Sequence, residues 1–390
     1  MRKNTILNQV LQLFSRYEFK KCTNRYFGDH YVKKMDCWQL LTILLYAQGK
    51  GLKSLRDINS SLSNYQNRWY HLGLKSVARS TLSDAMNLRS SEIFEDFFYA
   101  FLGKCQSLSP NHRFRFKNPL YAMDSTTISL CLSMFPWAKF RRRKGALKIH
   151  TLLDHQGCLP SFISISDGRC HDINIVKQPQ HNFPALEPDS IIVIDKAYID
   201  YQWLFSLEKQ GVFFVTRAKE NIKCRTTGQQ KANRRKGVVF DRSIRLTNYY
   251  QSDYYPKPLR LIKYYDKKEK RHFEFLTNNF RFAASTIAEI YKARWTVETF
   301  YRWIKQNLKI KTFLGTSKNA VMTQVWIAMI YYLMLAFIKF QTKYSFSMLD
   351  LTRTIRDLIL EPISLIEVLR IKFDQFYKTI KPETIQLSFL

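Results

Sequence analysis

Residues 190–200 read SIIVIDKAYID and residues 118–130 read NPLYAMDSTTISL. Each places a carboxylate, Asp195 or Asp124, directly behind a short apolar run bounded by turn residues. Runs of that length and composition predict buried strands, with the two aspartates at strand ends. A carboxylate there is costly unless it is paired or bound to a cation. Two of them brought together by adjacent strands repel each other unless a metal lies between. Either aspartate alone reads more readily as a cap or turn former. Their pairing with a third acidic segment makes the pattern specific.

That segment is IAEIYKARWTVETFYRWIKQNLKI at residues 287–310. It has no Gly or Pro and an apolar period of helical type, which predicts one continuous helix. At about 100° per residue, Tyr291, Arg294, Glu298 and Lys305 fall within roughly 60° of one another. One polar stripe thus carries a phenol, a guanidinium, a carboxylate and an ammonium. Ala293, Val297, Phe300, Ile304 and Leu308 form the opposite, core-facing stripe. A lone carboxylate among cations suits metal-assisted chemistry on a phosphate backbone. Arg294 and Glu298 also satisfy the spacing of an ordinary i,i+4 helix pair.

Taken together, Asp124, Asp195 and Glu298 resemble the DDE triad of the IS4-type bacterial insertion-sequence transposases. Tyr291-x2-Arg294-x3-Glu298-x6-Lys305 is similar throughout to that family's YREK signature. DSTTISLCLSMFPWAKFRRRKGALKIHTLLD (124–154) looks like its first catalytic segment. The resemblance runs from the N-terminus to about Lys318 and more weakly beyond. It departs at Ala197, where many relatives carry Gly, and this concerns the turn after the strand and leaves the carboxylate unaffected. The resemblance implies an RNase H-like α/β core with a β-rich insertion, preceded by an all-α DNA-binding region. It also implies that Asp124, Asp195 and Glu298 hold two Mg²⁺ ions, with Mn²⁺ as a substitute, and that Arg294, Lys305 and Tyr291 contact DNA. The implied partners are terminal inverted repeats and target DNA, and the implied assembly is a homodimer. Two rivals remain: a hydrolytic nuclease of the same fold, and a decayed DNA-binding repressor.

Composition agrees with a polyanionic partner. The 390 residues carry a formal charge of +31, with basic residues spread along the chain. Such an excess fits DNA, RNA or an anionic surface. Arg141, Arg142, Arg143 and Lys144 form a basic run beside Phe135, Trp137 and Phe140, which suits phosphate contact and base stacking or, equally, a solvated loop. Phe273 is a further aromatic candidate for base stacking, and also reads as a buried strand residue. In Gly168-Arg-Cys-His171-Asp172, Asp172 reads as a helix cap. The seven cysteines are scattered without a CxxC pair, so neither a zinc site nor a disulfide framework is expected. That usage, and an N-terminus unlike a signal peptide, point to the cytoplasm. The one long apolar run, 325–338, is short for a bilayer span and reads as a core helix.

The expected organisation follows. Residues 1–105 are helical, with SLRDINSSLS and VARSTLSDAMNLRS as two capped helices of a helix-turn-helix-like unit and Arg79, Ser80 and Thr81 near the second start. A plain helical bundle explains that pattern nearly as well, and the resemblance favours DNA binding. Residues 106–340 form the catalytic domain, interrupted by a β-rich insertion at 220–272. Residues 341–390 form a C-terminal helical region.

Overall fold

The computed structural model describes residues 4–141, 144–307 and 313–369. It divides into two compact units. One comprises the described parts of Met1–Pro110, Ser129–Ala138 and Arg302–Leu390, and the other comprises Asn111–Ile128 and Lys139–Tyr301.

Seven helices open the chain: α1 Ile6–Leu11, α2 Arg16–Arg25, α3 Cys37–Lys50, α4 Leu55–Ser63, α5 Gln66–Leu72, α6 Arg79–Leu88 and α7 Glu92–Ser107. Local chemistry sets several of their starts. Asp36 accepts the Gln39 amide at 2.7 Å, and Ser54 accepts the Asp57 amide at 3.0 Å, each satisfying a first-turn N–H that the helix cannot. The helix-turn-helix expectation meets two differences. Helix α5 intervenes between the expected pair, and α6 follows Ala78, which offers no side-chain cap.

The other unit is built on ten strands: β1 Leu120–Leu130, β2 Lys139–Arg141, β3 Lys144–Asp154, β4 Leu159–Asp167, β5 Ile191–Ile194, β6 Phe213–Arg217, β7 Cys224–Gln230, β8 Val238–Leu246, β9 Leu259–Asp266 and β10 Arg271–Thr277. They form one sheet in the order β2-β3-β1-β5-β6-β10-β9-β8-β7, with β4 pairing β3. At the centre, β1, β5 and β6 are parallel, and from β6 outward the pairing is antiparallel. The expected insertion at 220–272 is therefore not set apart. Its strands extend the central sheet, because β10 pairs with β6 over Phe275–Thr277 and carries β9, β8 and β7 with it.

Short helices α8 Asn174–Lys177, α9 Tyr201–Lys209 and α10 Tyr249–Tyr254 connect strands, followed by α11 Ala284–Ala293 and α12 Trp295–Asn307. One core lies on each sheet face. Ile192, Ile194, Phe214, Trp203 and Leu204 fill one, and α11 covers Leu120, Ile191, Val193, Val215 and Phe275 on the other.

Three helices end the described chain: α13 Lys318–Gln341, α14 Met348–Leu358 and α15 Leu365–Val368. Helix α13 is the one described helix long and apolar enough to cross a membrane, and it is almost wholly buried, as a core helix should be. It packs with α3 and α7, and the described residues from 302 onward, including the start of the 341–390 helical region, share a compact unit with the N-terminal helices. Asn319 stitches this unit together, donating to the carbonyls of Met86 and Arg89 and accepting the Ser91 amide at 3.0 Å.

Candidate active site

The parallel register brings the first two carboxylates side by side. Strands β1 and β5 pair from Leu120↔Ile191 to Met123↔Ile194, so Asp124 and Asp195 occupy the next step on neighbouring strands. Alternation puts both on the face covered by α11, with Leu120, Ile191 and Val193. The expectation that Asp124 ends its strand does not hold. β1 continues to Leu130, because its later residues Thr126 and Ile128 are themselves buried. Asp195 does stand at the end of β5, opening a 3-10 turn at Lys196–Tyr198. Ala197 in that turn has no positive φ, so the backbone there does not require Gly.

The helical segment supplies the rest, with one difference. The continuous helix expected over 287–310 is broken at Arg294, between α11 and α12. Arg294 N bonds to Tyr291 O, and Val297 N to Arg294 O, in i→i+3 steps that tighten the turn without any Gly or Pro to announce it. Ala293, Val297, Phe300 and Ile304 are buried as expected, and Leu308 lies outside the described residues. The polar stripe is not solvated. Tyr291 is buried against Phe275 at 5.0 Å between rings, and Arg294 is only 8% exposed.

Arg294 joins the carboxylates. Its Nη1 donates to Asp124 Oδ2 at 2.7 Å and its Nη2 to Glu298 Oε1 at 2.6 Å. Burial pushes the Asp124 carboxyl up to about 6; the Ser125 amide and Arg294 oppose this, while Asp195 and Glu298 add to it. Asp124 therefore feels the charge of both other acids. Burial also raises the Tyr291 hydroxyl, with Arg294 opposing and Asp195 adding.

Among the described residues no three acidic, His or Cys side chains close into a ready-made metal cage. The donor set nevertheless fits a hard divalent cation. It is all carboxylate oxygen, and a guanidinium already lies between two of its members.

Several contributors escaped sequence reasoning. Arg217 ends β6 two register steps beyond Val193↔Val215, which places it beside Asp195 and on the same face. Its only signal was a cation at the end of a strand-like run. Tyr301 donates to the carbonyl of Asp124 at 2.7 Å, tying α12 to β1. On the opposite sheet face, Lys148 pairs with Asp172 at 2.8 Å, and His150 Nδ1 lies 3.5 Å from the same carboxylate. Burial pushes the His150 pKa down, and it is wholly enclosed. Burial would raise Asp172, but hydrogen bonds from Lys148 and Ser125 hold it below the usual range. Asp172 thus braces the residue after Asp124 and does not cap α8, which has no side-chain cap.

The remaining candidates are dispersed. Lys305 is half-buried in the last turn of α12. Phe273 is half-buried on β10, stacked on Phe275, with Arg271 and Arg217 over its ring at 4.5 and 5.5 Å. Arg141 closes β2 and its backbone pairs with Lys144, whereas Arg142 and Arg143 lie outside the described residues.

The mixed sheet thus sets Asp124 and Asp195 at the same step of adjacent parallel strands, and Arg294 links Asp124 to Glu298 on α12. The family described as transposase DDE domain matches residues 115–334, and a domain of unknown function (DUF4372) matches residues 2–75. A putative transposase, y4zB, of Sinorhizobium fredii is 32% identical over 67% of this chain and 71% of its own length. The probable transposase for insertion sequence element IS5377 of Geobacillus stearothermophilus is 30% identical over 70% of each chain. In fold, the chain is similar to piggyBac transposase in a synaptic complex with hairpin DNA, with a TM-score of 0.50 and 13% identity over 96% of this chain and 84% of that one. The chain belongs to the DDE transposase family.

Proposed function

We propose that this chain cuts DNA at the ends of an insertion-sequence element and joins them to a target, as an IS4-type enzyme with a YREK helix. The observation that carries the reading is the adjacency of Asp124 and Asp195 on parallel strands, with Glu298 linked to Asp124 through Arg294. Asp124, Asp195 and Glu298 would hold Mg²⁺, which when bound activates the attacking water or 3′-hydroxyl and stabilises the leaving oxygen. The chain's own residues do the rest. Tyr301 and the Asp172 brace fix β1 beneath the first carboxylate. Arg294, freed from its carboxylates, offers a planar fork for a substrate phosphate, and Arg217 and Lys305 supply further positive charge. Closing two ends together would use a homodimer.

The test incubates the purified chain with labelled terminal DNA, a target plasmid and Mg²⁺. Asp124→Asn, Asp195→Asn and Glu298→Gln should each abolish cleavage while DNA binding persists, since each removes one ligand charge at nearly constant volume. Near wild-type cutting by any one of them removes that residue from the site. Cleavage without a joined product would favour a hydrolytic nuclease.

A further inference from the structure

The loop 26–35, between α2 and α3, holds three aromatic rings out of the protein. Phe27 and Tyr31 are 75% and 89% exposed. His30 links them, with ring centroids 6.1 Å from Phe27 and 4.0 Å from Tyr31. Both Phe27 and Tyr31 adopt left-handed backbone, with φ of 51° and 58°, a conformation that a Cβ disfavours. Exposed aromatics on unfavourable backbone contribute little to a core, so packing does not explain them.

The loop is also firmly held. Gly28 packs so closely that a Cβ there would lie 2.5 Å from Ile93 Cδ1 and 2.9 Å from Cys37 Sγ. Its amide donates to Thr23 O at 2.9 Å, and Asp29 Oδ1 accepts the Cys37 amide at 2.7 Å. A frame anchored at Gly28 and Asp29 turns the rings on either side outward. Exposed Lys20, Lys21, Lys33 and Lys34 flank it, and Lys21 lies over the exposed ring of Tyr17 at 5.0 Å.

We infer that this loop is a stacking platform for unpaired bases of DNA at the element's end. Rigid rings offer π faces and the lysines meet phosphates, the combination that binds single strands. An intact duplex presents base edges in its grooves, so ring faces find partners only where bases are unpaired. A second copy of this chain would bring the same lysines against one another, so charge disfavours self-association here. The inference rests on the proposed action on DNA ends and gives a ligand class to a stretch otherwise matched only as a domain of unknown function.

The experiment measures anisotropy of full-length protein on labelled terminal duplex, either blunt or with a six-nucleotide unpaired tail. Phe27→Ala/Tyr31→Ala should weaken binding of tailed DNA about 10-fold or more while blunt duplex changes less than about 2-fold. Phe27→Tyr and Tyr31→Phe should retain tailed-DNA affinity. Phe27→Gly/Tyr31→Gly should lose it with a melting temperature at or above wild type, because Gly accepts the left-handed backbone. That separates lost stacking from lost folding. Equal affinity of wild type and the alanine variant for tailed DNA overturns the platform and leaves the proposed function standing. So does an altered sedimentation coefficient with unchanged DNA binding, which would make the rings a protein contact. Failure of the wild type to bind either DNA overturns both.

Discussion

Arg294 spans Asp124 and Glu298 with one guanidinium, and it does so in a site where it is 8% exposed. Removing a cation from between two half-buried carboxylates leaves like charges facing each other. Arg294→Ala should therefore lower stability in EDTA by roughly 2 kcal/mol, below the full cost of breaking a buried pair because both acids retain some solvent. Mg²⁺ should return part of that loss, since a ligand that binds only the folded state stabilises it. Wild-type melting of the variant in EDTA would make the bridge incidental. Asp124 gives a pH test. Its folded value of about 6 lies above the ordinary 3.8, so the neutral carboxyl favours folding below about pH 4. That contribution is lost as pH rises through 6. Metal-free Asp124→Asn should thus melt higher than wild type at pH 7.5, by up to about 3 kcal/mol of stability, with the advantage fading toward pH 4. A constant difference across that range would place the effect elsewhere.

Two elements must stay in register for the proposed triad, and single side chains couple them. The Tyr301 hydroxyl reaches from α12 to the carbonyls of Asp124 at 2.7 Å and Ile149 at 3.3 Å. Tyr301→Phe keeps the ring and removes the one hydroxyl proton that these two strand carbonyls share, so about 1–2 kcal/mol of stability should go with it. Cleavage should slow as well, because Glu298 rides on the same helix. Unfolding in urea and single-turnover cutting of one preparation check both, and unchanged cutting would show that α12 is positioned by packing alone. Beneath β1, Asp172 joins Lys148 and Ser125 on the face opposite Asp124. This coupling was invisible in the sequence, where Asp172 sat at a plausible cap position.

Within one of the two compact units, segments far apart in the chain share a helical core. Helix α13 packs with α3 and α7, and Asn319 bonds to the turn between α6 and α7. A fragment ending at Cys105 would expose those faces, so it should aggregate or melt without cooperativity. Adding the segment from residue 302 onward in trans should restore a cooperative transition. A sharp melt from the fragment alone would show that the N-terminal helices are self-sufficient. At this scale the charge of +31 should also give DNA affinity a steep salt dependence, with a log–log slope near −0.9 per phosphate contact. A slope near zero would contradict phosphate-dominated binding.

Local chemistry by itself determined much of this protein. Apolar runs ending in Asp124 and Asp195 announced central strands, the period of 287–310 announced helix, and the three acidic segments together pointed to a DDE transposase. These features are legible because strand burial and helical period act between near neighbours. The break at Arg294, the continuation of β1 past Asp124 and the merging of 220–272 into the main sheet were decided only by tertiary structure. Each depends on what a segment packs against: a buried second half for β1, the β6 edge for β10, and a sheet face that draws Tyr291 and Arg294 inward. Arg217 and Tyr301 became part of the site for the same reason. Register and helix docking bring them to the carboxylates, and no pattern along the chain records which side chains will meet across a sheet.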